Sequence, residues 1–336
     1  MQSTIREEEV LALVNGLVLP RKSFDFVING GQPVTLHKGL DDIVDALLNG
    51  REHKDNPDWV EAFDRWWARE HAAAMFAIGL LNGTYEDYLP GRHLMYRRLV
   101  DDGIRKVLPQ IAGKSVIEVG SGSGISLTML AREGAIAHGL DISETALGFF
   151  EYLAKLYDVK ANIRTIRADY YRTDLPDNQF DLTYNVGVFE HRTPEERLRL
   201  LAEMKRITAP QGYMMISVPN LNSPYYKAMR KREESIFKRL KQLMYPERVF
   251  YDVDPRGLLS QGGLEVIKDG NVLLAPSAPI GTKTIRPEDY DFFMRLPQVN
   301  GKIRERIKAW ELLEKSATPE QMNRYGWFTY AIGRKT

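Results

Sequence analysis

Three glycines at alternate positions, Gly120, Gly122 and Gly124, interleaved with Ser121 and Ser123, have a type and spacing that could do chemistry. They follow an apolar run that reads as a strand, Ser115–Val119, and precede one that reads as a helix, Ile125–Arg132. Glycine permits a tight turn and lets backbone approach a ligand, and a helix N-terminus offers N–H groups with no partner inside the helix. The spacing also disfavours some ligands. A dinucleotide loop wants its third glycine one position later, where Ile125 stands, and the Gly-Lys-Ser/Thr ending of a phosphate-binding loop is missing. Phosphate is therefore not the favoured ligand. Asp141 lies 21 residues after Gly120, at the end of the next predicted strand. Glu190 and His191 follow a later strand. An imidazole, with an ordinary pKa of about 6.5, keeps a useful neutral fraction at pH 7 and suits proton removal.

Positioning such residues takes alternating strands and helices, and from Lys114 onward the sequence has them. Ser115–Val119, Ile136–Leu140, Ile163–Arg167, Leu182–Val186 and Tyr213–Val218 read as strands with helical stretches between. Ser143 is expected to cap the helix that runs to Tyr157. Thr193-Pro194-Glu195-Glu196 is a capping box with proline at the first helical position, opening a helix to about Ile207. Ala209-Pro210-Gln211-Gly212 is expected to break that helix ahead of the strand at Tyr213. Leu264–Ile267 and Trp327–Ile332 complete a seven-stranded, mostly parallel, doubly wound α/β sheet. A polar helical insertion is expected at 221–255, after the fifth strand, and a charged helix around Ile303–Glu314. Residues 1–113 read as a mainly helical extension. It holds a hairpin (Phe24–Ile28 and Gln32–Leu36 around Asn29-Gly30-Gly31) and helices over Asp41–Leu48, Asp58–Leu81 and Leu94–Leu108. The expected division is thus 1–113 and 114–336.

Composition bounds the answer. The chain has 336 residues, 43% of them hydrophobic, enough for a full core plus an extension. A net charge of +1 gives no global pull toward nucleic acid or an anionic membrane. The absence of cysteine excludes disulfides, thiolate zinc sites and cysteine nucleophiles, and suits a reducing compartment. The histidines show no metal-ligand spacing, so no metal is expected. No stretch approaches the roughly 18 apolar residues of a membrane span. The N-terminus, with Glu7, Glu8 and Glu9, has no signal pattern, and a cytoplasmic protein is expected.

Glu118-x-Gly120-x-Gly122-x-Gly124 resembles the first motif of class I S-adenosylmethionine-dependent methyltransferases. Phe180-Asp181-Leu182 through Asn185-Val186-Gly187-Val188-Phe189-Glu190-His191 is similar to that family's fourth-strand motif, and Gly212 through Pro219-Asn220 to its fifth. These stretches fall in family order and spacing from Ser115 to Asn220, with the texture of the ubiquinone-methyltransferase-like, type 11 branch, whose members mostly modify small molecules. One departure is mild: Ser121 and Ser123 stand where many relatives carry cysteine and threonine. The resemblance implies S-adenosylmethionine as cofactor, held by Glu118, Gly120, Ser121, Gly122 and Gly124. Asp141 and Ile142, Asp169 and Tyr170, and Asn185 and Val186 complete the implied set, with Asp169 near the adenine amine. The implied reaction is an in-line displacement, in which His191, with Glu190 beside it, takes a proton from the acceptor.

Acceptor choice is expected from the two additions. Tyr85, Tyr88, Arg92 and Tyr96 precede the core as a lid, substrate or dimerisation element, the last implying a second copy of the chain. Asn220, Tyr225 and Tyr226 lead into a stretch rich in lysine and arginine between Lys227 and Lys241. The expected partner is a small polar metabolite methylated on carbon, oxygen or nitrogen, such as a 2-oxo acid or a phenol. Two other readings stay open: an RNA or protein methyltransferase using the basic stretch, and a binding protein without turnover.

Overall fold

In a computed structural model, the described residues are 25–27, 33–35, 90–223, 226–227, 251–274, 288 and 311–336. Neighbouring residues of the central strands feed opposite apolar layers, as the two-residue period of a strand demands. Val116 and Met215 lie in one layer while Ile117, Met214 and Ile216 lie in the other. Strands buried on both faces read as nearly continuous apolar runs, and for that reason they were visible in the sequence.

Strands β1 (Asp25–Val27) and β2 (Pro33–Thr35) pair antiparallel within the two expected runs, with Phe26 opposite Val34. The expected helices over 41–48 and 58–81 lie outside the described residues. Helix α1 (Pro90–Arg98) continues through a π-helical turn (Leu99–Ile104) to Val107, so it starts four residues before the expected Leu94. The Tyr330 hydroxyl donates to the Asp102 carbonyl in that turn at 2.9 Å, and a side chain entering the carbonyl ladder is an ordinary cause of such a bulge. Leu94, Leu99, Val100 and Ile104 of this segment share one core with the sheet.

The sheet then builds in the expected alternation. Strand β3 (Ser115–Val119) leads to α2 (Ile125–Arg132), β4 (Ile136–Asp141), α3 (Glu144–Leu156) and β5 (Ile163–Arg167). Then come β6 (Phe180–Val186), α4 (Pro194–Ile207) and β7 (Thr208–Pro219). Helix α5 (Pro255–Gln261), β8 (Glu265–Leu274), α6 (Pro319–Tyr325) and β9 (Gly326–Arg334) follow. The order is β5-β4-β3-β6-β7-β9-β8, parallel except that β9 runs antiparallel to both neighbours. Ser143 caps α3 by accepting from the Ala146 N–H, and the Thr193–Glu196 capping box is closed in both directions.

Two boundaries differ from expectation. The helix ends at Ile207 ahead of the 209–212 stretch, but β7 begins at Thr208 rather than Tyr213, and the register slips between Phe180 and Leu182 so that residues 209–212 bulge from the ladder. Gln211 takes φ +62 there, and its N–H finds the Lys335 carbonyl at 2.8 Å, so the proline sits where no ladder bond is lost. Strand β8 is longer than the expected Leu264–Ile267 because it is an edge strand, and its polar residues Lys268, Asp269 and Asn271 disguise the run. Of the expected insertion at 221–255, only its two ends lie within the described residues.

Candidate active site at the switch point of the sheet

From β3 the chain proceeds outward to β4 and β5, and from β6 outward the other way to β7. The crevice beyond the carboxyl ends of β3 and β6 is therefore the topological switch point, where doubly wound sheets bind ligands. The glycine loop occupies it. Gly120, Gly122 and Gly124 adopt φ of +74, +50 and +63, in the left-handed region that favours glycine. A Cβ on Gly120 would sit 2.7 Å from Val188 Cγ2, and one on Gly124 would sit 2.2 Å from the Phe150 ring. Close packing, as much as ligand approach, thus requires glycine here.

Most loop N–H groups are already engaged. Those of Gly120 and Ser121 both donate to the Leu140 carbonyl, at 2.8 and 3.0 Å, and that of Gly122 to Asp141 Oδ2 at 2.8 Å. Asp141 Oδ1 accepts from the Ser143 N–H at 2.9 Å. This carboxylate therefore ties the loop to the start of α3. Ile142 beside it is half-buried. The open donors of the cradle are the first N–H groups of α2, which have no intrahelical acceptor. The Ser121 hydroxyl is buried without a hydrogen-bond partner among the described residues.

Glu118 is only 1% exposed and lies at the foot of the loop. Its Oε2 accepts from Ser126 Oγ at 2.6 Å and from the Tyr184 hydroxyl at 3.2 Å. Burial pushes its pKa up to about 8, against the lowering effect of those two donors. Neither Ser126 nor Tyr184 was singled out in the sequence, because neither type is diagnostic until its partner is known. Across the switch point, Asn185 Nδ2 donates to the Val119 carbonyl and its Oδ1 accepts from the Val188 N–H at 3.3 Å. Asn185, fully buried, thus laces β3 to the turn after β6, with Val186 buried beside it.

That turn, a 3-10 helix over Phe189–His191, carries Glu190 and His191. Glu190 is 4% exposed, and His191 Nε2 stands 3.7 Å from its Oε1. Asp169 is exposed, and its Oδ1 accepts from the Tyr171 N–H at 2.9 Å. Tyr170 packs beneath the Arg192 guanidinium at 5.2 Å, and burial pushes its pKa well up.

The residues expected at the acceptor divide differently. Asn220 Nδ2 donates to the carbonyls of Asn323 and Gly326 at 2.7 and 2.9 Å, and its Oδ1 accepts from the Asn222 N–H at 3.0 Å. Its amide tethers the end of β7 to α6. Tyr226 is 1% exposed, and Tyr96 packs half-buried against the core of the sheet. Tyr85, Tyr88 and Tyr225 lie outside the described residues, as does the side chain of Arg92. No group of three or more metal-ligating side chains gathers among the described residues. Nor is any helix among them long and apolar enough to cross a membrane.

The buried and unpartnered Ser121 hydroxyl, the positive-φ glycines and the Asp141 carboxylate form a polar cradle at the switch point, chemically suited to a nucleoside carrying a polar chain. Comparison with known proteins agrees. The family profile of a methyltransferase domain matches residues 117–216. Ubiquinone biosynthesis O-methyltransferase of Pseudomonas paraeruginosa is 29% identical over 161 residues, 46% of this chain and 66% of that protein. Its counterpart in Aeromonas salmonicida is 29% identical over 168 residues, 49% of this chain and 68% of that protein. The chain thus spans about two thirds of the curated relatives it matches. Among solved structures, magnesium protoporphyrin IX methyltransferase from Synechocystis PCC 6803 with bound SAH aligns with a TM-score of 0.50 at 13% identity. The alignment covers 82% of this chain and 97% of that one, and it shows a common fold. Residues 117–216 thus carry an S-adenosylmethionine-dependent methyltransferase domain, with S-adenosylmethionine as its cofactor, and in motifs and sheet the chain is similar to the class I enzymes of the type 11 branch.

Proposed function

We propose that the chain methylates a small polar metabolite, on oxygen, carbon or nitrogen, with His191 taking the acceptor's proton. The observation that carries this reading is the convergence of the glycine loop, Asp141 and the Glu190–His191 turn on one crevice. S-adenosylmethionine, when bound, supplies a methyl group on a sulfonium, an electrophile with its leaving group attached. What the chain must add is alignment and proton removal. The loop and Asp141 hold the nucleoside end, and Asp169 and Tyr170 border the adenine. Glu190, within 3.7 Å of His191 Nε2, orients the imidazole and favours the imidazolium that forms when His191 takes a proton. The names of the curated relatives, O-methyltransferases, support an oxygen acceptor, for which a phenol is one candidate, and a 2-oxo acid carbon suits the same base. The cysteine-free composition supports the cytoplasm as its compartment.

Protein incubated with methyl-labelled S-adenosylmethionine and a metabolite extract is expected to yield a labelled small molecule, with turnover lowered at least tenfold in His191→Gln and cofactor affinity unchanged. Label found only in RNA or protein would sink the reading, and so would cofactor binding without transfer to any fraction. Full turnover in His191→Gln removes the imidazole from the proposed role.

A further inference from the structure

Beneath the Glu190–His191 turn lies a buried guanidinium with no part in the chemistry above. Arg197 stands on the face of α4 that sends Leu200, Leu201, Met204 and Ile207 into the core, and it is 9% exposed. Its Nε donates to the Phe189 carbonyl at 3.0 Å and its Nη1 to the Asp252 carbonyl at 2.8 Å. The Tyr251 ring lies 5.4 Å from the guanidinium carbon, and the Tyr251 N–H donates to the Glu190 carbonyl at 2.7 Å. One planar cation thus reaches both the turn and the segment on which the 221–255 insertion returns.

A three-residue 3-10 turn is held weakly by its own hydrogen bonds, so donors from outside decide its place. Here the Phe189 and Glu190 carbonyls both have one. Two bonds in diverging directions from one head suit a guanidinium and not an ammonium. A cation this buried also needs a nearby negative charge. Burial lowers the Arg197 pKa, opposed first by Glu190, then by Tyr251 and Asp252. Arg192, next to His191, is directed over the Tyr170 and Tyr171 rings.

We propose that Arg197 is a positioning residue, which locks the Glu190–His191 turn to the returning end of the insertion and holds its positive charge on that pair. The inference rests on the proposed role of His191, yet its test needs no acceptor. His191 is titrated by NMR in histidine-labelled protein, with its signal assigned through His191→Gln. Removing a buried positive charge favours proton binding nearby, so in Arg197→Met the His191 midpoint is expected to rise by about half a pH unit or more. Arg197→Lys keeps the charge and is expected to restore the midpoint while losing one backbone bond. Amide exchange at residues 189–192 and 251–253 is expected to quicken roughly tenfold in Arg197→Met, the loss of about 1.4 kcal/mol of protection. Binding of S-adenosylhomocysteine, unchanged, reports that the fold is intact. An unmoved midpoint in a folded Arg197→Met, or unmoved exchange, overturns the proposal. Should Arg197→Met not fold, Arg197→Gln takes its place, and equal midpoints in the Gln and Lys variants overturn it equally. Failure of the methyltransferase reading would look different: wild-type protein would bind cofactor and turn over nothing, with these shifts still present.

Discussion

Asp141 has a structural task and a proposed one at the cofactor, and they can be separated. It accepts the N–H groups of Gly122 and Ser143, so it shapes the loop before any ligand arrives. Asp141→Ala is expected to cost about 1–3 kcal/mol of stability for those lost acceptors, read as a lowered denaturation midpoint. Calorimetry with S-adenosylhomocysteine should show affinity down at least tenfold, about 1.4 kcal/mol. Wild-type affinity in a destabilised Asp141→Ala would leave the residue a loop tie only. Glu118 makes a prediction in pH. Its carboxyl is raised from 4.5 to about 8 in the folded chain, so between those values the native state binds more protons than the unfolded one. Stability from this group therefore falls as pH rises through that window, by at most about 1.4 kcal/mol per pH unit for one proton. Glu118→Gln cannot ionise, and its thermal midpoint should fall less between pH 5 and pH 8 than that of the wild type. Parallel profiles would show that Glu118 is ionised throughout.

Among the elements, the glycine loop and the cap of α4 can be tested by substitutions whose costs differ in kind. Gly113 and Gly124 both have positive φ, but a Cβ at Gly113 meets nothing within 4 Å while one at Gly124 meets the Phe150 ring at 2.2 Å. Gly113→Ala should therefore cost only the backbone strain, about 1 kcal/mol, and Gly124→Ala should add overpacking of about 1–3 kcal/mol. Denaturant unfolding of the two variants checks this, and equal losses would mean the loop relaxes freely around Phe150. Thr193→Ala removes the acceptor for the Glu196 N–H and half of a reciprocal capping box, worth about 1 kcal/mol. Because that cap starts the helix carrying Arg197, faster exchange at its first turn is expected in the same variant.

At the scale of the molecule, α1 is docked onto the sheet by its apolar face and by the Tyr330 hydroxyl bonded to the Asp102 carbonyl. Tyr330→Phe should cost about 1 kcal/mol and speed amide exchange in residues 99–104 more than in β4 or β5. Uniform change would mean that the bond supports the whole fold rather than this docking. That bond joins residues 228 apart, Asn220 reaches Asn323 over 103, and Arg197 reaches Asp252 over 55. No pattern in the chain announces such pairs, and a cation on the apolar face of α4 was the sole hint of the last. The strand periods, the Ser143 and Thr193 caps, and a glycine spacing matching neither a dinucleotide loop nor a P-loop are all set within a few residues. Those features by themselves determined the sheet, its order of elements and, through the motif order, the cofactor class. Tertiary structure alone decided that Asp141 ties the glycine loop to α3, why Glu118 is held near neutral, and that Asn220 tethers α6. It also put Arg197 under the proposed base, because burial and hydrogen-bond partners come from elements that the chain brings together only when it folds.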